Sequence, residues 1–250
     1  DEVMYTTLVV DGPGMGHPFL PDGIFIAKGG DDVDKGIQSW TKSKLGKLSQ
    51  FKGRAIPFNS LNMETMRNIY FHVSLWFAMF ILFFAAVIYS IQYLRKRELY
   101  LDYIASSLIE VGTLFGILGL ITGAVWAKNT WGTYWTNDVK LNMAAVSMMI
   151  YAAYLVLRIS IKDEDKKAII SSSYGIFAFF IIIPLIFVIP RLTDSLHPGN
   201  GGNPGFGGAD LDNTMRMVFY PAIVAFTLLG LWMSNLMWRL KKIRNYNDEN

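Results

Sequence analysis

Along this chain apolar and polar positions gather into long blocks instead of alternating. Apolar stretches at 66–94, 104–126, 141–158, 168–190 and 217–240 have close to, or more than, the about 20 residues that a helix needs to cross the hydrocarbon of a bilayer. Backbone polar groups in lipid have no water to bond with, so such stretches must satisfy themselves as helices. The pattern predicts an all-α, polytopic transmembrane helix bundle with five spans. Residues 1–65 are different: polar, with turn signals at 11–14 and 28–31 and two short apolar pieces, 6–10 and 23–27, that suit strands. They are expected to form a small extramembrane N-terminal extension. The transmembrane domain then covers 66–240 and a short tail 241–250.

Composition sharpens this picture in two places. With 52% hydrophobic residues the chain is richer in apolar side chains than an ordinary soluble domain. With no cysteine, it has no disulfide, no thiolate metal site and no thioether link of its own. The net charge of +3 says little until it is distributed. Arg95, Lys96 and Arg97 follow the first span, Arg158, Lys162, Lys166 and Lys167 the third, and Arg239, Lys241, Lys242 and Arg244 the fifth. Basic residues near span ends mark cytoplasmic segments, so the loops at 127–140 and 191–216 belong on the outer side, as does the extension. Long translocated segments largely escape that bias. A translocated N-terminus needs a signal, and a signal peptide or a sixth helix is expected before Asp1.

Three local features refine the bundle. Gly112, Gly116, Gly119 and Gly123 form a small-residue stripe along the second span, which lets a neighbouring helix approach closely. Pro184 interrupts the fourth span and is expected to kink it. The loop at 191–210 is too rich in Gly, Pro and Asn to be helical, and His197-Pro198-Gly199 within it favours an ordered turn.

Candidate chemistry centres on histidine, of which there are three. His72 lies in the outer part of the first span and His197 in the last outer loop, so topology brings both to one membrane face. Intramembrane ionisable residues are functional candidates by default, and a hydrogen-bonded core histidine is the bland alternative. Between the two histidines lies the aromatic segment WAKNTWGTYWTND, 126–138, whose Trp126, Trp131, Tyr134 and Trp135 offer broad flat faces and whose Gly132 permits close backbone approach. An interfacial aromatic belt would also use such residues. Two imidazoles and flat aromatic walls suit haem, which takes axial histidine on both faces of one plane. Its propionates need cations. Arg67, Arg191 and Arg216 stand at outer span ends and suit them through charge-assisted bonds, unless they merely snorkel to the interface. His17 sits among turn residues of the extension and is expected to be exposed. No nucleotide-binding, nucleophilic-triad or zinc-protease pattern occurs.

WGTYWTND, ending at Asp138, resembles the tryptophan-rich W-G-x-x-W-x-W-D signature of the cytochrome c assembly proteins, with Asn137 where the signature has Trp. RNIYFHVSLWF and PRLTDSLHPGNGGNP are similar to the two histidine-bearing segments of the haem exporter protein C family of multicomponent cytochrome c maturation. The likeness runs from about Asn62 to Leu240. It implies a six-helix protein of the bacterial inner membrane that binds haem b non-covalently at its periplasmic face. His72 and His197 would be the axial ligands, and Trp131, Gly132, Trp135 and Asp138 would belong to the haem-binding loop. The implied partners are a periplasmic haem chaperone (protein E of that system), ATP-binding-cassette transporter subunits, the small single-helix protein D and membrane lipid, with no nucleic acid. No enzymatic activity of its own is expected, beyond assisting covalent haem attachment to the chaperone. The competing functions are a cytochrome c synthase that attaches haem directly and a b-type haem anchor subunit of an electron-transfer complex.

Overall fold

Every apolar stretch folds as a helix, and nearly every helix outruns the stretch that predicted it. In the computed structural model, residues 5–7, 26–28, 60–193, 195–197, 211 and 213–249 are described. The helices are α1 (Ser60–Lys96), α2 (Leu99–Trp131), α3 (Val139–Ser160), α4 (Glu164–Ile183), the short α5 (Ile189–Leu192) and α6 (Asn213–Glu249). Five helical segments are long and apolar enough to cross a membrane: Arg67–Lys96, Leu99–Trp131, Val139–Ser160, Glu164–Leu192 and Asn213–Tyr246. The extra turns have a simple cause. Apolarity marks only what suits lipid, whereas backbone hydrogen bonding continues until a residue or cap stops it. At 1.5 Å per residue α2 is about 50 Å long, well beyond the about 30 Å of hydrocarbon.

The chain divides into two compact units, Asp1–Met63 and Glu64–Asn250. In the first, β1 (Tyr5–Thr7) and β2 (Ile26–Lys28) pair antiparallel with Thr6 opposite Ala27. Each overlaps one of the short apolar pieces. The turn expected at 11–14, the rest of that expected at 28–31, His17 and the loop positions 198–210 lie outside the described residues.

In the second unit the stops are legible. α1 ends where Arg97 adopts φ 61°, its N–H donating 2.7 Å to Tyr93 O, a left-handed closing residue that lets α2 begin two residues later. α2 ends at Gly132, φ 80°, whose N–H donates 3.1 Å to Lys128 O. Asp138 and Asp163 cap α3 and α4 by accepting from Lys140 N and Lys166 N. At Pro184, where a kink is expected, the α-helix passes into a π-helical turn, Pro184–Val188, and continues as α5, so that the helical segment runs on to Leu192.

The glycine stripe of α2 receives large side chains. A Cβ on Gly112 would meet Phe83 at 2.5 Å, on Gly119 Trp76 at 2.8 Å and on Gly123 His72 at 2.7 Å, all from α1. Gly116 instead accommodates the sulfurs of Met148 and Met79. Phe83 stacks on Tyr151 of α3 with ring centres 3.7 Å apart. Near the start of α2, buried Asp102 forms a bidentate ion pair with Arg158 of α3, and Glu110 pairs with Lys241 of α6 at 2.7 Å.

Candidate functional site

His72 is set up by its neighbours on α2. Its Nδ1 lies 2.9 Å from Gly119 O and 3.2 Å from Thr122 Oγ1. Thr122 Oγ1 itself donates to Leu118 O and Gly119 O, and Asn68 Nδ2 donates 3.1 Å to Thr122 O. A carbonyl only accepts, so Nδ1 carries the proton and donates to Gly119 O. The Nε2 lone pair is thereby left for a ligand. Gly123 supplies the room in which the ring sits.

His197 arrives from the other direction. Asp138 Oδ1 caps α3 while its Oδ2 accepts from Ser195 Oγ at 2.8 Å and Leu196 N at 2.7 Å. Ser195 Oγ in turn accepts from His197 N at 3.1 Å. One buried carboxylate thus fixes both the start of α3 and the segment that presents His197. Burial opposes ionisation of Asp138, but the hydrogen bonds from Ser195, Leu196 and Lys140 outweigh it and hold the carboxyl below its ordinary range. Burial, helped by Lys140 and His72, lowers His197 to about 4, so its imidazole is neutral at physiological pH.

The imidazoles meet at one end of the bundle, with ring centres 6.4 Å apart and planes inclined by 50°. Trp126 and Trp131 flank His197 at 5.5 and 5.8 Å, and lie edge to face with each other at 5.1 Å. An imidazole nitrogen sits about 2 Å from a first-row metal, and with each ring centre about 1 Å behind its nitrogen, two imidazoles on opposite sides of one iron have centres about 6 Å apart. The observed spacing fits. Among the described residues no three His, Cys, Asp or Glu come together in a way that could hold a metal ion. A bare ion needing several protein donors does not suit this pair, whereas a metal bringing its own equatorial nitrogens needs only two. His197 Nδ1 is buried and without a hydrogen-bond partner among the described residues, so it could donate to nothing there while the other ring nitrogen faced a ligand.

The structure therefore gathers His72, His197, Trp126 and Trp131. It also redraws the aromatic segment: α2 continues through Trp131, so Trp126 and Trp131 are helical and only 132–138 is loop. Among the described residues no atom lies near the missing side chain of Gly132, and its positive φ is what requires glycine. Tyr134 and Trp135 are exposed on the loop. Lys128 lies over the Tyr134 ring, and Trp135 Nε1 donates to Asn142. Asn137 accepts from Asn142 Nδ2 at 2.8 Å, a loop-closing role. Asp138 faces Ser195 and the α3 start. Arg67 and Arg191 are exposed, the latter closing α5, and Arg216 lies in the first turn of α6. Sequence alone overlooked Thr122, which packs against His72, and Lys140, whose charge acts on His197. A polar residue between Gly119 and Gly123 on one helical face was the available signal for the first.

The fold and the cluster define a polytopic, membrane-type helical protein with two imidazoles and two tryptophans gathered at one end of its bundle. Residues 57–197, more than half of the chain, match the cytochrome c assembly proteins, and the chain belongs to that family. It is 38% identical over 110 residues to cytochrome c biogenesis protein CcsA of Pelargonium hortorum, covering 44% of this chain and 34% of that protein. With CcsA of Prochlorococcus marinus strain MIT 9515 the identity is 41% over 97 residues, 39% of this chain and 30% of that protein. The chain spans about a third of the length of these curated relatives. The resemblance expected from sequence thus holds for the family, and the relatives are CcsA proteins.

Proposed function

We propose that this chain holds haem b between His72 and His197 at one end of its bundle and presents it for cytochrome c assembly. The observation that carries this reading is the 6.4 Å spacing of two imidazoles from elements distant in sequence, beside two tryptophans. His72 and His197 would hold the haem, which when bound would supply a Lewis-acidic iron and vinyl groups for later thioether formation. This chain's residues do the rest. Gly119 and Thr122 fix the His72 tautomer, Asp138 holds the His197 segment, and Trp126 and Trp131 shield the site from water. Arg67, Arg191 and Arg216 are the cations for the propionates. Exposed Tyr134 and Trp135 form the face offered to a recipient. The chain acts as a binding and presenting component rather than as an enzyme, in a bacterial inner membrane with the haem end periplasmic. A periplasmic haem chaperone is its recipient, and transporter subunits and a small single-helix protein are its companions.

The test is haem copurification from membranes. Changing His72 and His197 together to Ala should abolish it while leaving the protein folded, and full haem occupancy in that variant would sink the proposal. Incubating loaded protein with apocytochrome alone separates the recipients, since a thioether product would favour direct attachment over transfer to a chaperone.

A further inference from the structure

The two imidazoles are held unequally. His72 projects from a long helix, its Nδ1–H bonded to Gly119 O at 2.9 Å and close to Thr122, and its ring is boxed by Gly123, where a Cβ would come within 2.7 Å of Cε1. That bond orients the ring and raises the donor strength of Nε2. His197 projects from a loop segment. Its backbone N–H is bonded to Ser195 and the segment is tied to Asp138, but its Nδ1 is buried with no partner among the described residues. Trp126 and Trp131 give its ring packing and no acceptor for Nδ1. Among the described residues nothing comparable to Gly119 strengthens or orients this imidazole.

We infer that His72 is the permanent ligand of haem and His197 the exchangeable one, so that handover begins with loss of His197; this rests on the haem-binding reading above. Only the coordinate bond to His197 breaks, its electron pair stays on the imidazole nitrogen, and no electron or proton need move. The Asp138 tether holds the backbone in place meanwhile, so the ring can swing away and return without unpacking a helix. For His72 to leave, its bond to Gly119 must also break.

The experiment uses the full chain in detergent with added haem, following affinity and the optical spectra of wild type, His72→Ala and His197→Ala. His197→Ala should keep haem within about tenfold of the wild-type affinity but turn high-spin, whereas His72→Ala should lose about 100-fold or more, at or beyond the upper end of what loss of an outer-shell partner alone costs. Carbon monoxide added to the reduced wild type should displace His197, giving the same spectrum as the carbon monoxide complex of His197→Ala. This comparison does not depend on His72→Ala folding. Equal weakening of the two variants, the reverse order, or a wild-type carbon monoxide spectrum unlike that of His197→Ala would overturn the inference while leaving haem binding intact. Failure of the wild type to bind haem would overturn the underlying proposal, and this inference with it.

Discussion

At the scale of single residues, placement separates those that would touch a ligand from those that hold them. Gly123 is small because His72 fills its space, so Gly123→Ala should push the imidazole off its bond to Gly119 and weaken haem binding about 10- to 100-fold, read by haem titration. Asp138 is a positioning residue. Asp138→Ala removes the α3 cap and both anchors of the His197 segment, and should cost about 1–2 kcal/mol for the cap alone in thermal unfolding. Sequence placed Asp138 in the haem loop from a motif, although an Asp directly before an apolar helical run is itself a cap signature. What sequence could not give was Ser195 and Leu196 as its other partners, which are distant along the chain. The pH dependence follows from His197. Its folded value of about 4 lies below the ordinary 6.5, so the unfolded chain binds the extra proton between these values. Its contribution to stability is therefore full above about pH 6.5 and declines as pH falls toward 4. Unfolding midpoints measured from pH 7.5 to 5 should drop in wild type and drop less in His197→Ala.

At the scale of elements, the α2 glycines do different jobs that a shared motif hides. Gly112 faces the Phe83 ring, which is itself stacked on Tyr151, so Gly112→Ala must disturb a rigid pair. Gly116 faces the ends of two methionines, which can bend away. Gly112→Ala should therefore destabilise the protein by about 1–3 kcal/mol and Gly116→Ala by less, as thermal melts in detergent would report. The spans were legible because bilayer-length apolar runs admit little besides helix. Helix ends were not, because Arg97, Gly132 and Asp163 stop their helices by cap geometry outside the apolar runs. For the same reason Trp131 turned out to lie on α2, past the predicted end of its span at Trp126. The Pro184 interruption was visible in sequence. Its form, a π turn, depends on how the chain regains its hydrogen-bond ladder.

At the scale of the molecule, α2 joins two polar centres. From Asp102 to Thr122 it rises about 30 Å, close to one hydrocarbon thickness. The imidazole pair lies at one end, while the Asp102–Arg158 and Glu110–Lys241 pairs lie toward the other. Asp102 and Arg158 are 2% and 11% exposed, so deleting either partner strands a buried charge. Arg158→Leu should destabilise by about 3 kcal/mol, and adding Asp102→Leu should recover much of that loss. Haem affinity should stay unchanged in both, since the site is remote. Charge distribution in the sequence separated the two ends of the bundle, but not these pairings, which join helices far apart along the chain.

The proposed site holds one haem between His72 and His197. The most direct measurement is the ferric spectrum, optical and electron paramagnetic resonance, of the purified chain loaded with haem, beside the variant with both histidines changed to Ala. With haem held by both imidazoles, the wild type should give a low-spin bis-imidazole signal and the variant should lose it. A high-spin wild type, or a low-spin signal that survives both substitutions, would contradict that arrangement.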